Sequence, residues 1–421
     1  MDTQARSQQV IESLRKGIPP QRGVDLYSVG HEKLIEGIKK HHLSGIADRG
    51  IIRFVSGSWG AGKTHFFRIM REVAFKGECL VSNVELSVND APLNKFERVF
   101  YAILRNVNSP YCYAQEPTLE AAPFGSVLRE SLAFLGTGNR AVGNEVPYEA
   151  YNAAKDKLMG NRGIDIDFKK IVQKYWETFL PESPDPAIQE QTREEILQWF
   201  GGEGSIGAYR KRFGVNKMIT KDTAKVMLQS LAAFVRLAGY QGLVILFDEA
   251  EQSYSIMRKS ALKDAWNNLL SLINNIEALS GLFLVYATTP EFYTDPKYGI
   301  VQYGALSGRI GKPEEKPPTA LSVVWNMDAV QTDLSAYQSA AVKIKGIYAS
   351  ANPDARDSLP GDEEVRASVE ELHGIHPSLS AVQFWRVLVT SMVRDFDNRL
   401  DGEVRPMKEV YRDVMDRLRE E

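Results

Sequence analysis

Phe54-Val55-Ser56-Gly57-Ser58-Trp59-Gly60-Ala61-Gly62-Lys63-Thr64-His65 decides how the rest of the chain is read. Just before it, Ile51-Ile52-Arg53-Phe54-Val55 is a β-branched and aromatic run of strand length, and from Lys63 to about residue 75 the pattern predicts a helix. Between them Gly57, Ser58, Trp59, Gly60, Ala61, Gly62, Lys63 and Thr64 satisfy G-x-x-x-x-G-K-[ST] at each fixed position, in the strand-to-helix context that the pattern requires. Such a loop turns backbone N–H groups and a helix N-terminus toward negative charge, which suits a triphosphate. Lys63 is then placed for the β/γ oxygens and the Thr64 hydroxyl for Mg2+. The competing explanation is a glycine-rich turn with an incidental Lys-Thr, and the flanking strand and helix weigh against it.

A phosphate loop of this kind works with an acidic residue at the end of a neighbouring strand. Leu243-Val244-Ile245-Leu246-Phe247 runs into Asp248-Glu249, so Asp248 is the candidate to hold Mg2+ through water and Glu249 the candidate to polarise the attacking water. The same pair could simply cap the next helix. A third apolar run, Leu282-Phe283-Leu284-Val285-Tyr286-Ala287, ends in Thr288-Thr289-Pro290. A hydroxyl at that sheet edge can touch the γ-phosphate or the water; Thr289 is the preferred candidate and Thr288 the second, with a helix cap as the rival explanation. Upstream, Val29-Gly30 could lay backbone against adenine, since glycine permits close approach, although a plain turn fits as well.

Outward from these motifs the chain alternates strands and helices. Strands are expected over 79–86, 243–247 and 282–287, and helices over 8–17, 93–104, 187–200, 222–238 and 256–278, with another helix after Gly30. This order implies a largely parallel sheet covered on both faces. Residues 312–318 read as a linker to a short strand over 321–324 and a mostly helical end. The expected organisation is a lead at 1–46, a core at 47–318 with a helical insertion at about 107–220, and a C-terminal unit at 319–421. The 421 residues carry 51 basic and 54 acidic groups, net −3, so any nucleic-acid contact must be local. Lys39-Lys40-His41-His42 is a candidate for such a contact, against the simpler reading of a solvated helix face. Two cysteines, a polar N-terminus and the absence of a long apolar stretch point to a cytoplasmic protein without a membrane span.

The chain resembles AAA+-type ATPases of the origin-recognition-like branch, and more specifically the ATP-binding proteins of BREX-type bacterial anti-phage systems. The resemblance rests on Gly17-Ile18-Pro19-Pro20-Gln21-Arg22-Gly23-Val24, on Val29-Gly30-His31-Glu32, on the phosphate loop through His65, and on Gly239-Tyr240-Gln241-Gly242-Leu243 leading into Asp248-Glu249-Ala250-Glu251. Thr288-Thr289-Pro290-Glu291-Phe292 and Leu306-Ser307-Gly308-Arg309 extend it, so that it covers most of residues 10–310. It implies a P-loop NTPase α/β fold, a five-stranded parallel sheet with a helical insertion and a helical C-terminal lid, and ATP bound between sheet and lid. It also implies work in a defence complex acting on DNA beside helicase or methyltransferase partners. By the same resemblance Arg309 stands where an arginine finger is expected, with Arg258 as a second candidate, and Arg386 lies on a lid helix within reach of the γ-phosphate. The family's Pro-Arg opening of that helix is replaced here by Leu379-Ser380-Ala381.

The expected activity is therefore a modest, partner- or DNA-stimulated ATPase with Mg2+, with double-stranded DNA and further copies of the chain as candidate partners. A nucleotide-dependent switch or scaffold with little turnover is the alternative. A small-molecule kinase is a weaker third reading, because residues 107–220 could hold an acceptor site.

Overall fold

The computed structural model describes residues 3–115, 124–141, 143, 145–181, 185–248, 258–330, 333–375 and 381–420. Six strands form one sheet: β1 (Ile51–Ser56), β2 (Leu80–Glu85), β3 (Val107–Asn108), β4 (Leu243–Asp248), β5 (Leu282–Thr288) and β6 (Val324–Asn326), in the order β3-β2-β4-β5-β1-β6. β2, β4, β5, β1 and β6 run parallel, and β3 pairs antiparallel with β2. The sixth strand is an addition to the expected five: β3 has two residues, too few for any periodicity to show. At the opposite edge, β6 begins at Val324 rather than 321, because Leu321 sits in an exposed turn.

Alternation along each strand explains why the runs are so apolar. Ile52, Phe54, Ile245, Phe247, Leu284 and Tyr286 face one core, which is completed by helices between residues 96 and 237 and by the helix Lys259–Asn275. Ile51, Val55, Val244, Leu246, Phe283, Val285 and Ala287 face the other, completed by the helix Lys63–Lys76 and by helices from both chain ends. Each residue of β1, β4 and β5 thus lands on a covered face, so hydrophobic side chains are needed at nearly every position.

The insertion supplies one cover. Its helices start where the sequence offers caps: Asp165 accepts from the Asp167 N–H, Asp185 from the Ala187 N–H, and Ser205 from the Ala208 N–H. On the other face the N-terminal helix Thr3–Arg15 packs against Leu334–Ala351 and Ala381–Leu400. Arg15 joins it to Asp397 at 2.8 Å, and the Tyr348 hydroxyl donates to the same carboxylate at 2.8 Å.

His42 departs from the reading of 39–42 as one solvated or nucleic-acid-facing cluster: Lys39, Lys40 and His41 are exposed, and His42 alone turns inward. It is fully buried, its Nε2 bonds the Ala320 carbonyl at 2.6 Å, and its ring lies against Phe283 and Trp325. Burial lowers its pKa, so it serves as a neutral core residue beneath the turn before β6.

Gly50 marks the tightest approach beneath β1. A Cβ there would lie 2.0 Å from the Ile276 carbonyl oxygen and 2.6 Å from that of Leu279. Gly50→Ala is therefore expected to destabilise the fold by about 1–3 kcal/mol through backbone displacement. Denaturant unfolding of the two proteins checks this, and an unchanged midpoint would contradict the close packing.

Candidate functional site

Because β1, β4 and β5 are parallel neighbours, their carboxyl ends open on one edge of the sheet. Ser56 pairs in register with Thr288, and the Gly57 N–H donates to the Thr288 carbonyl at 3.2 Å. The loop after β1 therefore starts beside the end of β5. Gly60 and Gly62 take left-handed backbone, with φ of 81° and 87°, which lets the chain reverse and enter the helix Lys63–Lys76. The first amides of that helix lack intrahelical acceptors and open toward the loop.

Lys63 is buried, and its Nζ donates to the Gly57 carbonyl at 2.7 Å and the Ser58 carbonyl at 3.3 Å. Its ammonium sits 5.9 Å from the centre of the Trp59 ring, which is 70% exposed. The Thr64 hydroxyl donates to Asp248 Oδ2 at 3.1 Å. Residues 184 positions apart thus place a hydroxyl and a carboxylate side by side at the mouth of the loop. Both are hard oxygen donors of the kind Mg2+ prefers.

At the end of β5 the two threonines differ. The fully buried Thr288 donates its hydroxyl hydrogen to the Val55 carbonyl at 3.1 Å, so the bond to Tyr293 at 2.9 Å must be donated by the tyrosine. Thr288 is occupied in joining β1 to β5. Thr289, also buried, is the next residue along the same edge. The Thr289 carbonyl accepts from the Phe292 N–H at 3.1 Å in the turn that opens the helix Glu291–Thr294.

His65 binds the upstream segment to this helix. Ser28 Oγ donates to the Val24 carbonyl at 2.5 Å, so the 2.9 Å contact with His65 is an Nε2–H donated to the serine oxygen. Lys343, from the helix Leu334–Ala351, donates to the Ser28 carbonyl at 3.0 Å. Val29 and Gly30 are thereby held next to the first turn of the phosphate-loop helix. Burial, reinforced by His31 and Arg68, lowers the His65 pKa to about 3.

Arg309 is exposed on the helix Gly304–Ile310, and Arg258 is exposed at the start of Lys259–Asn275. Arg386 lies against the Gly17 turn, its Nε 3.1 Å from where a Cβ on Gly17 would be. Glu249 falls outside the described residues. The sequence reading missed Asp328, just beyond β6, whose Oδ2 accepts from Ser58 N–H at 2.9 Å and Ser58 Oγ at 3.0 Å. A single aspartate after a three-residue strand carries no motif, and its position becomes visible only once β6 is paired with β1.

A family model described as BREX system ATP-binding protein BrxC/D matches residues 3–375. No curated protein and no solved structure matches the chain. No helix among the described residues is long and apolar enough to cross a membrane.

The His65 environment sets a pH dependence. The unfolded histidine takes up a proton near pH 6.5, whereas the folded one resists until about 3. Between those values the unfolded state binds more protons, so His65 makes stability fall as pH falls through this window. His65→Gln, which can still donate to Ser28, is expected to flatten the fall in unfolding midpoint between pH 7 and 4. An unchanged profile would show that His65 is not held neutral.

Proposed function

The chain belongs to the family of BREX system ATP-binding proteins, and from that premise we propose that it is an ATPase of P-loop, AAA+-like fold, coupling ATP turnover to action on DNA or a partner protein of the defence system. The observation that carries this reading is the contact of Thr64 with Asp248 beside the buried Lys63, within a loop that satisfies the phosphate-binding pattern.

In this reading the loop amides from Gly57 to Thr64 surround the phosphates, and Lys63 exchanges its carbonyl acceptors for β/γ oxygens. Thr64 and Asp248 would hold Mg2+, Asp248 through water, and the ion would supply charge neutralisation on the triphosphate. Glu249, one residue beyond Asp248, orients the attacking water and takes its proton. Thr289 contributes a hydroxyl at the end of β5, toward the γ-phosphate or the water. Val29, Gly30 and His65 form the adenine side, with Arg386 approaching from the lid helix. The exposure of Arg309 suits an arginine that serves the nucleotide of a neighbouring copy rather than its own. Helicase- or methyltransferase-type proteins of the same system, double-stranded DNA and further copies of the chain are the proposed partners, in the cytoplasm.

Two variants test the site together. Lys63→Ala is expected to abolish ATP binding in a folded protein, while Glu249→Gln keeps binding and loses about 10²–10⁴-fold in turnover. Fluorescent-nucleotide titration and steady-state phosphate release, with and without double-stranded DNA, measure the two effects. Unchanged affinity in Lys63→Ala would end the phosphate-loop assignment, and wild-type turnover in Glu249→Gln would pass the role of base to another residue.

A further inference from the structure

Asp328 reaches the phosphate loop from outside every motif in the sequence. It follows β6, the edge strand that pairs with β1 through Phe54↔Val324, Val55↔Trp325 and Ser56↔Asn326. That register brings Met327 beside the loop: its N–H donates to the Ser56 carbonyl at 2.7 Å, and its Cβ lies 3.2 Å from where a Cβ on Gly57 would be. The next residue turns its carboxylate onto Ser58, with Oδ2 accepting from both the backbone N–H at 2.9 Å and the hydroxyl at 3.0 Å. Asp328 is itself oriented by its own N–H, which donates to Asn326 Oδ1 at 3.1 Å, while Asn326 Nδ2 donates to the Glu314 carbonyl at 2.8 Å.

We propose that Asp328 is a positioning residue for nucleotide binding: by accepting two hydrogen bonds from Ser58 it fixes the first turn of the phosphate loop in the shape that Lys63 needs. The link to Lys63 is direct, because the Ser58 carbonyl is one of the two acceptors of its ammonium. Releasing Ser58 lets the peptide from 57 to 59 rotate, and the carbonyls that orient Lys63 rotate with it. Two bonds to a single carboxylate oxygen are charge-assisted, and they hold a segment whose glycines at 57, 60 and 62 would otherwise leave it loose. The carboxylate acts through Ser58 and is not itself a ligand of the nucleotide. Its stem leads within six residues to the helix Leu334–Ala351, which also holds Ser28 through Lys343.

This proposal rests on the ATP-binding reading of the loop, and the experiment separates the two. Hydrogen–deuterium exchange of the peptide spanning 57–64 is followed in nucleotide-free wild type, Asp328→Ala and Asp328→Asn, with unfolding midpoints as the control on folding. Asp328→Ala is expected to speed exchange of this peptide and weaken ATP affinity about fivefold, while Asp328→Asn, whose Oδ1 can accept both bonds without the charge, falls between Asp328→Ala and wild type in each. Turnover at saturating ATP should change far less than affinity. Unchanged exchange in Asp328→Ala, or Asp328→Asn behaving like Asp328→Ala, would overturn the positioning role. Wild type that binds no ATP, with exchange still separating Ala from Asn, would overturn the ATP reading and leave the hold of Asp328 on the loop standing.

Discussion

The sheet places three parallel strands, β1, β5 and β4, side by side with both faces covered, and this arrangement puts the chain's chemistry at one edge. Parallel neighbours start and end at the same levels, so whatever follows each strand emerges at a common rim. Here the rim receives the glycine loop, Asp248 and Thr288-Thr289. β1 continues through its helix to β2, which lies beyond both β5 and β4, whereas β5 leads the other way to β6 beyond β1, and in open α/β sheets ligands sit at the carboxyl ends where the connections diverge. Burial on two faces is what makes the rim rigid. Strands with nearly all side chains packed cannot slide without opening a core, so the strand that carries Asp248 is held from both faces.

The segment between residues 17 and 31 converts this rim into something larger than a loop and two strands. It is clasped on one side by the phosphate-loop helix: Arg68 donates to the Pro19 carbonyl, Arg71 to the Gln21 carbonyl, and Lys76 pairs with Asp25 at 2.6 Å. On the other side it meets the C-terminal helices through Lys343 and Ser28. The exposed ion pair adds little by itself. The donors to backbone carbonyls matter more, since they fix the path of a segment that has almost no regular structure of its own. Tyr113 touches the same helix: its ring contacts Phe75 as well as Arg22, and its hydroxyl donates to Glu72. The helix Lys63–Lys76 is thus bonded directly to the segment 17–31 and to Tyr113, and through His65 and Ser28 it is linked to Lys343 of the helix Leu334–Ala351.

What the sequence made legible follows from length and repetition. β1, β4 and β5 are runs of six, six and seven residues, apolar on both faces, and such runs announce themselves. β3 has two residues and β6 three, and their pairing depends on neighbours rather than on their own pattern. The glycine loop between β1 and the helix Lys63–Lys76 was legible because its motif is contiguous. Asp328 was not, because its meaning lies in a hydrogen bond across 270 positions. His42 was misread for a related reason: beside Lys39, Lys40 and His41 it looks like part of a charged surface, and only the Ala320 carbonyl, 278 positions away, turns it inward. Between 107 and 220 the caps at Asp165, Asp185 and Ser205 were present, but without a periodic strand between them they gave helices and no arrangement.

The polar groups of the loop share one property that bears on how it would take a ligand. Lys63 is satisfied by Gly57 and Ser58 carbonyls, the Thr64 hydroxyl by Asp248, and Ser58 by Asp328. None of these side chains waits as a desolvated donor, so a triphosphate gains by exchange of one partner for another, and the net return per bond is small. Affinity must then come from groups that exchange at a profit: an ammonium that trades neutral carbonyls for phosphate charge, and backbone amides at a helix N-terminus, whose preference is for anions. Ser58 and Thr64 do not fit that description, because the acceptor of each is already a carboxylate. Asp248, the partner of Thr64, is itself a candidate to share a cation with that hydroxyl, whereas Asp328 shares none with Ser58, so on the positioning role proposed for Asp328 the bond of Ser58 is the one kept while Lys63 and Thr64 change partners.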